Sequence, residues 1–210
     1  EPYPRLRVTR APSGAGGLVG PMRGASQSRA AIEAVQHALG VRTCTTRLTI
    51  VPRVGARACL LKDLGQCAAP CVDGVDSGYD AAVQAATAAL QGDPSPVIDA
   101  LSQTIEEHVS RLDFESAATL RDGISALVDG TMRSQRLQSL RGVRLVAVKR
   151  SGSGFDVVSV VDGVLAGSAR VSQGVWAACA RLRDEWEQAT ADALVEEREL
   201  IVRWLESDGT

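Results

Sequence analysis

Apolar residues recur at helical spacing through the middle of the chain. This period predicts helices over residues 77–91, about 95–111 and about 113–129. Only a short break around residues 111–113 separates the last two helices, and Asp113 can cap the second of them. The two helices are therefore predicted to form an antiparallel hairpin. Because a lone hairpin buries little apolar surface, we expect it to pack on a partner inside or outside the chain.

After residue 130 the apolar period shortens to alternation. Three runs rich in β-branched residues follow one another: Val143–Arg150, Phe155–Val161 and Val164–Val171. Breaks at 151–154 and Asp162-Gly163 separate these runs. The second break is a hairpin signal, and together the two breaks predict a three-stranded antiparallel meander. Helices are predicted to follow at about 174–188 and 190–206. Their three tryptophans are expected to anchor the core: Trp176, Trp186 and Trp204.

The first forty residues combine a predicted strand with a predicted helix. Residues 3–10 alternate apolar with basic side chains, which is typical of a strand with one charged face. A glycine-rich turn at 14–21 then leads to a helix that Ser26 or Ser28 can cap and that Gly40 ends. Together with the later elements, this predicts an α+β fold.

Four cysteines occupy a segment, residues 42–72, in which neither period persists. Cys44, Cys59, Cys67 and Cys71 have the spacing C-x14-C-x7-C-x3-C. Thiols gathered in this way hold a metal or form disulfides. The odd total of five cysteines favours a metal in a reducing cytosol. A metal centre would also give order to a segment without regular structure. The spacing alone leaves an iron–sulfur cluster and zinc as equal alternatives, although the paired C-x2-C knuckles common in zinc sites are absent.

The chain carries no sign of a membrane or secretory segment. Its longest apolar runs are shorter than the roughly 18 residues of a membrane span, and no secretory signal precedes the cysteines. We therefore expect a cytoplasmic protein and no membrane partner. Because the chain begins at Glu1 without a methionine, we expect it to be a piece of a longer protein from which a signal could have been lost.

The net charge of −2 conceals a strong segregation of charge along the chain. Residues 1–71 carry ten basic and three acidic side chains, whereas residues 72–130 carry two basic and eleven acidic ones. The basic part suits phosphates, with which arginine forms bidentate contacts, and the acidic part suits a different partner. The alternative is that both are solvated faces that attract each other.

Several of these motifs resemble the UvrC subunit of the bacterial excinuclease. The matching stretches are Tyr3-Pro4-Arg5, Gly20-Pro21, the run from Leu39 to Cys44, Ala58-Cys59-Leu60, Gly65 to Cys71 and, most clearly, Leu112 to Asp122, which is similar to the UVR motif. The resemblance continues through the meander and fades after about residue 171. UvrC-like proteins cut DNA on either side of a lesion with a GIY-YIG and an RNase H-like nuclease domain. A four-cysteine region with an iron–sulfur cluster and a UVR hairpin that contacts UvrB lie between these domains.

The resemblance implies a chain that spans this middle part and contains neither nuclease site. The GIY and YIG tripeptides are absent, and no aspartate occupies a plausible metal position on the strand at 145–150. The implied domains are the end of a GIY-YIG-like domain (1–40), the four-cysteine region (41–75), a helix plus the UVR hairpin (76–130) and the meander with C-terminal helices (131–210). The tail at 199–205 also resembles longer proteins in which a DEDD-type exonuclease precedes a UvrC-like region.

The resemblance also assigns roles to residues. It favours a [4Fe-4S] cluster over zinc (Zn) on Cys44, Cys59, Cys67 and Cys71. It implies phosphate contacts by six arginines: Arg5, Arg7, Arg10, Arg23, Arg29 and Arg42. It implies contacts with a UvrB-like partner by five hairpin residues: Phe114, Glu115, Ala118, Arg121 and Asp122. From the residues alone, an aromatic at a helix start is more often the core of its own hairpin.

A second hypothesis comes from a different functional class. UVR motifs also occur in zinc-binding adaptors that regulate a protease or kinase. Those proteins carry paired CxxC knuckles, which this sequence lacks.

Overall fold

A computed structural model describes residues 1–10, 18–188 and 194–207 and divides the chain into two compact units, Glu1–Arg133 and Ser134–Thr210. The helices of the described residues are α1 (Ala25–Leu39), α2 (Leu60–Asp63), α3 (Pro70–Asp73), α4 (Tyr79–Gln91), α5 (Ser95–Ser110), α6 (Phe114–Gln138), α7 (Val175–Asp184) and α8 (Val195–Glu206). The strands are β1 (Arg144–Ser151), β2 (Gly154–Val161) and β3 (Val164–Val171), and 3₁₀ turns lie at Gly74–Ser77 and Glu185–Gln188. This mixture of helices and an antiparallel sheet confirms the α+β class.

The core of the first unit is built from the periodic helices. Val35 of α1, Val97 and Leu101 of α5 and Leu127 of α6 are fully buried in one cluster with Tyr79 of α4. The predictions of α1, α4, α5 and α6 are confirmed. Each of these helices buries its apolar stripe in the same cluster. The helix α6 continues to Gln138 instead of ending near residue 129.

Gly123 of α6 allows that helix to approach α1 closely. A Cβ on Gly123 would lie 2.9 Å from the Cβ of Ala34 and 3.2 Å from the carbonyl oxygen of Ala30. The missing side chain therefore permits a helix approach that any larger residue would block. Gly40 ends α1 as predicted, in a left-handed conformation with φ 67°. The predicted serine cap is wrong: Gly24 occupies the N-cap, and Ser28 donates its hydroxyl to the Gly24 carbonyl.

Residues 3–10 do not form the predicted strand. All strands of the described residues pair within the β1–β3 sheet, and this segment is not among them. Instead it is held by Tyr3, which is buried, donates its hydroxyl to the Ile50 carbonyl at 3.1 Å and packs edge-on against the ring of Tyr79. In this segment the alternating pattern therefore corresponds to one buried side chain, Tyr3, followed by exposed arginines.

The second unit contains the predicted meander. The strands pair antiparallel in the order β1-β2-β3, with Val157 opposite Val148 on one side and Ala169 on the other. Asp162 and Gly163 connect β2 to β3 with φ values of 52° and 81°, the two positive values that a type I′ hairpin turn requires. The prediction from Asp162-Gly163 is therefore confirmed.

Both faces of the sheet are covered by helices. Ala178 and Leu182 of α7 pack on Val157, while Ile201 and Val202 of α8 pack on Val160. Adjacent residues of β2 point to opposite faces, which explains how one strand serves two apolar clusters.

The tryptophans differ from the expectation of three core anchors. Trp186 is half-buried and donates its indole N–H to the Ser159 hydroxyl at 2.7 Å. Trp204 lies beneath the Lys149 ammonium, 5.0 Å from the ring centroid. Trp176 is 86% exposed, so its prediction is wrong. The face of α7 that meets the sheet is occupied by other residues of the helix.

Two predictions fall partly outside the described residues. Residues 11–17 include Gly14, Gly16 and Gly17 of the glycine-rich turn, and residues 189–193 include the predicted start of the last helix. Among the described helices, none has the length and apolar character needed to cross a membrane.

Candidate functional site

The four cysteines of the first unit come together around two short helical turns. Cys59 precedes α2, Cys71 lies in α3, Cys67 stands between them, and Cys44 belongs to the loop that follows α1. All four thiols are free. Burial raises the pKa of the Cys67 thiol, and the neighbouring thiols of Cys59, Cys44 and Cys71 raise it further. Cys67 and Cys71 thus each lie within electrostatic reach of Cys44 and Cys59.

These thiols are neighbours without forming a closed ligand shell. Among residues 1–10, 18–188 and 194–207, no three His, Cys, Asp or Glu side chains are close enough together to hold a metal ion. Burial also raises the pKa of the Cys71 thiol, with further contributions from Cys44 and Cys59. Thiols with raised pKa values are protonated at neutral pH, so a metal must displace their protons to bind.

The backbone around Cys67 is shaped to present its sulfur. Ala69 adopts a left-handed conformation with φ 52° at the start of α3, and its N–H donates to the Cys67 Sγ at 3.4 Å. The N–H of Ala68 donates to the carbonyl of Gly40 at 3.1 Å, which fixes the loop against the end of α1. Pro70 opens α3, where its missing N–H costs no hydrogen bond.

An ion pair joins the two short turns. The Lys62 ammonium of α2 donates to the Asp73 carboxylate of α3 at 2.6 Å, and this hydrogen bond raises the pKa of Lys62. Both side chains are more than one-third exposed, so solvent screens the pair. It aligns the turns that carry the cysteines but adds little to their stability.

The structure contradicts the predicted phosphate contact of Arg42. Its side chain is 0% exposed, and its guanidinium donates to the carbonyls of Tyr3 at 2.8 Å, Thr46 at 2.8 Å and Cys44 at 3.1 Å. The same group pairs with the Glu1 carboxylate. Because its donors are used inside the protein, Arg42 cannot present them to a phosphate.

The other five predicted arginines are exposed. None of them forms an ion pair with another residue of the described chain: Arg5, Arg7, Arg10, Arg23 and Arg29. Their phosphate contacts stay a prediction with accessible side chains.

The tip of the α5–α6 hairpin is organised by Asp113. One of its carboxylate oxygens accepts the Ser116 N–H at 3.2 Å as an N-cap, and the other lies 2.9 Å from the His108 Nδ1. These hydrogen bonds, first those with Ser116, hold the pKa of Asp113 below its ordinary value. The predicted cap is confirmed, and Asp113 is also the acidic neighbour of His108.

The hairpin exposes an apolar tip, formed by Val109, Leu112 and Phe114. Phe114 is 59% exposed, so it is not the core of its own hairpin. Val109 and Leu112 are also exposed. The sequence pattern did not predict that either residue is exposed. Val109 continues the apolar stripe of α5, but it lies beyond the part of that stripe that packs against other helices. Leu112 lies in the turn between α5 and α6, where its backbone has a positive φ of 60°.

The remaining predicted partner contacts lie along the first two turns of α6. Glu115 is exposed, Ala118 is half-buried, and Arg121 donates to the carboxylate of Asp122 at 2.7 Å in an exposed pair. The helix thus offers an apolar end followed by a charged surface.

Comparison with known protein families finds two matching stretches in the chain. Residues 1–89 match the UvrC/Cho excinuclease middle domain, and residues 97–129 match the UvrB/uvrC motif, known as UVR. The chain carries a UvrC middle domain followed by a UVR motif. The middle domain contains the cysteine region, and the UVR motif contains the exposed tip of the hairpin.

Relatives of known name extend the likeness beyond the UvrC middle domain. A Mycobacterium tuberculosis protein named as a bifunctional exonuclease/endonuclease is 33% identical over 221 aligned positions, covering 100% of this chain and 34% of the relative. UvrABC system protein C of Nitratidesulfovibrio vulgaris is 37% identical over 180 positions, covering 83% of this chain and 24% of the relative. That of Pseudoalteromonas atlantica is 38% identical over 128 positions, covering 60% and 21%.

The UvrC-like chain therefore spans about a third or less of the length of these relatives. No solved structure matches it.

Proposed function

We propose that this chain is a non-catalytic DNA- and partner-binding region of a UvrC-like nucleotide excision repair nuclease. The observation that carries the proposal is the exposed Phe114 at the start of α6, inside the stretch that matches the UVR motif. A large aromatic side chain that is mostly exposed at a helix start is not explained by the core of its own hairpin. It suits a protein partner that buries it.

The partner that this tip fits is a helical segment of a UvrB-like protein. Val109, Leu112 and Phe114 supply an apolar centre, and Glu115 with the Arg121–Asp122 pair supplies a charged margin. Stable protein interfaces have this anatomy of an apolar centre within a polar rim, and aromatic residues dominate their energy.

Calorimetric titration with a UvrB protein tests the docking. Because truncation of a central aromatic costs about 2 kcal/mol or more, Phe114→Ala should weaken binding by about thirtyfold or more. Leu200→Ala in α8 is the matched control, since Leu200 is similarly exposed but lies outside the UVR motif. Unchanged binding by the Phe114 variant would remove the basis of the proposal.

For the cysteine region, we propose that Cys44, Cys59, Cys67 and Cys71 hold a 4Fe–4S cluster. The chemistry of the donor set supports this assignment, since all four thiols are free, Cys67 and Cys71 each lie within electrostatic reach of Cys44 and Cys59, and the Ala69 N–H donates to the Cys67 sulfur. A bound cluster would supply four metal–thiolate bonds that order a segment poor in regular structure. Zinc on the same thiols would instead support the adaptor function.

For DNA, we propose that the five exposed arginines of residues 1–29 contact backbone phosphates. Each phosphate contact made by a cationic side chain steepens the dependence of log K on log salt by about 0.9. A triple variant of Arg5, Arg7 and Arg10 to alanine should therefore lower the slope for duplex binding by up to about 2.7. The control is the alanine triple of three exposed arginines of the second unit: Arg141, Arg144 and Arg150. Equal slopes for both triples would contradict the assignment.

A further inference from the structure

A tight turn, Arg53-Val54-Gly55-Ala56, lies in the cysteine region and takes no part in the contacts proposed above. The Ala56 N–H donates to the Arg53 carbonyl at 3.0 Å, and Gly55 has a φ of 76°. A positive φ at the third residue is typical of a type II turn and favours glycine there. Val54, the second residue, is 106% exposed, so the turn presents an apolar side chain entirely to water.

The chain that leads to this turn is held at four alternate residues: Thr46, Leu48, Ile50 and Pro52. The carbonyl of Thr46 accepts a hydrogen bond from Arg42 at 2.8 Å, and that of Ile50 accepts one from the Tyr3 hydroxyl at 3.1 Å. Leu48 packs against the core of the first unit. Pro52 lies against Gly74, where an added Cβ would be 3.0 Å from the Pro52 Cδ. The turn is therefore attached to a fixed support.

Basic and aliphatic side chains are exposed together on and beside the turn. The basic ones are Arg47, Arg53 and Arg57, and the aliphatic ones are Ile50, Val51 and Val54, which are 60%, 76% and 106% exposed. None of these three arginines forms an ion pair in the part of the chain that the structure describes. Residues 34–62 contain no aspartate or glutamate. The positive charge beside these apolar side chains is therefore not balanced locally.

This combination of free arginines and a small apolar turn fits a nucleic acid. Arginine forms bidentate hydrogen bonds with phosphate, and groove-binding proteins add apolar side chains that pack against the bases. Surfaces that bind anionic membranes usually present tryptophan, phenylalanine or leucine on one face of a helix, whereas this segment is a turn without an aromatic residue. A protein partner would favour a broader apolar centre with aromatic anchors.

We propose that the turn enters a groove of duplex DNA, with Val54 against the bases and sugars and with Arg47, Arg53 and Arg57 on the backbone phosphates. This inference rests on the proposed DNA-binding function and deepens it. The exposed arginines of residues 1–29 supply phosphate contacts only. The turn adds an apolar contact inside the groove, where base edges and groove shape are accessible.

Val54→Ala tests the groove contact, and Val75→Ala is its matched control. Val75 is also an exposed valine of the cysteine region, but it lies between Asp73 and Asp76. Fluorescence anisotropy measures the binding of the whole 210-residue chain to a short labelled duplex at several salt concentrations. Because the substitution removes two carbon atoms from an apolar contact, Val54→Ala should weaken binding about tenfold without changing the salt slope. Val75→Ala should match the unaltered chain.

A double variant, Arg53→Gln with Arg57→Gln, tests the phosphate contacts. Each lost contact lowers the slope of log K against log salt by about 0.9, so the pair should lower it by up to about 1.8. The control pair is Arg141→Gln with Arg144→Gln, two exposed arginines of the second unit, which should leave the slope unchanged. Since all these side chains are exposed, the melting temperatures should stay the same.

Three results would overturn the inference. The first is an unchanged duplex affinity of Val54→Ala, and the second is an equal salt slope for the two arginine pairs. The third is a Val54→Ala variant that loses binding to phosphatidylglycerol vesicles but keeps its duplex affinity, which would assign the turn to a membrane. Failure of the unaltered chain to bind the duplex would instead overturn the proposed DNA-binding function.

Discussion

The cysteine region and the α5–α6 hairpin are ordered in different ways. The hairpin is regular because its apolar stripe is buried at Val97, Leu101 and Leu127. Residues 41–75 contain only four-residue helical turns and a 3₁₀ turn, and several of their aliphatic side chains are exposed. Long-range polar contacts hold them in place, chiefly those of Arg42 with Tyr3, Glu1 and Tyr79. Apolar periodicity thus suffices for the hairpin, whereas the cysteine region depends on tertiary contacts and, in our proposal, on metal.

The largest expected effect is loss of the metal from the cysteine region. Cys67→Ser should abolish stoichiometric metal binding because it removes one of the four soft ligands, at a thiol that is half-buried. Cys179→Ser is the control, since Cys179 packs with the apolar cluster under α7. Metal content after gel filtration is the readout, and a Cys67 variant that retains full metal would show that the ligand set is wrong.

In the hairpin, the inner face should carry the stability. Leu101→Ala should lower the free energy of unfolding by about 2–5 kcal/mol, as is typical of fully buried leucines. Leu112→Ala, at the exposed tip, should change it by less than about 0.5 kcal/mol. Urea denaturation measures both variants, and equal losses would mean that the tip is part of the hairpin core.

A further prediction concerns how the metal affinity of the cysteine region varies with pH. Burial raises the pKa values of Cys67 and Cys71, so these thiols are protonated at pH 7 before metal binds. Metal affinity should therefore rise between pH 6 and pH 8, by up to about tenfold per pH unit for each proton displaced. An affinity that does not vary with pH would contradict binding through these thiols.

The smallest expected effect concerns the cap of α6. The pKa of Asp113 is lowered in the fold, so its stabilising effect is present above the unfolded pKa of about 3.9 and is lost as the pH falls through the lower folded value. The melting temperature of Asp113→Ala should lie below that of the unaltered chain at pH 7, and the gap should narrow near pH 3. Asp122→Ala, which removes no cap, should show no such narrowing.

Those features that depend on neighbours in sequence were predictable. The apolar stripes of α4 and α5, the Asp113 cap and the Asp162-Gly163 turn follow from local spacing and local backbone preference. For the candidate sites, five of the six arginines predicted to contact phosphate are exposed, while the metal and phosphate assignments stay predictions.

Features that depend on distant parts of the chain could not be read from spacing. Arg42 and Arg57 have the same relation to a cysteine, yet only the fold buries Arg42 among carbonyls from both sides of it. Residues 3–10 have a strand pattern but no partner strand in the described chain. Trp176 has the large apolar side chain typical of a core residue, but it lies on the exposed face of α7.

Iron and sulfide analysis of the anaerobically purified chain distinguishes an iron–sulfur cluster from zinc at the four cysteines. We expect about four iron and four sulfide atoms per chain, both lost in the Cys67→Ser variant. Stoichiometric zinc without sulfide, or a folded chain that contains no metal, would contradict the account.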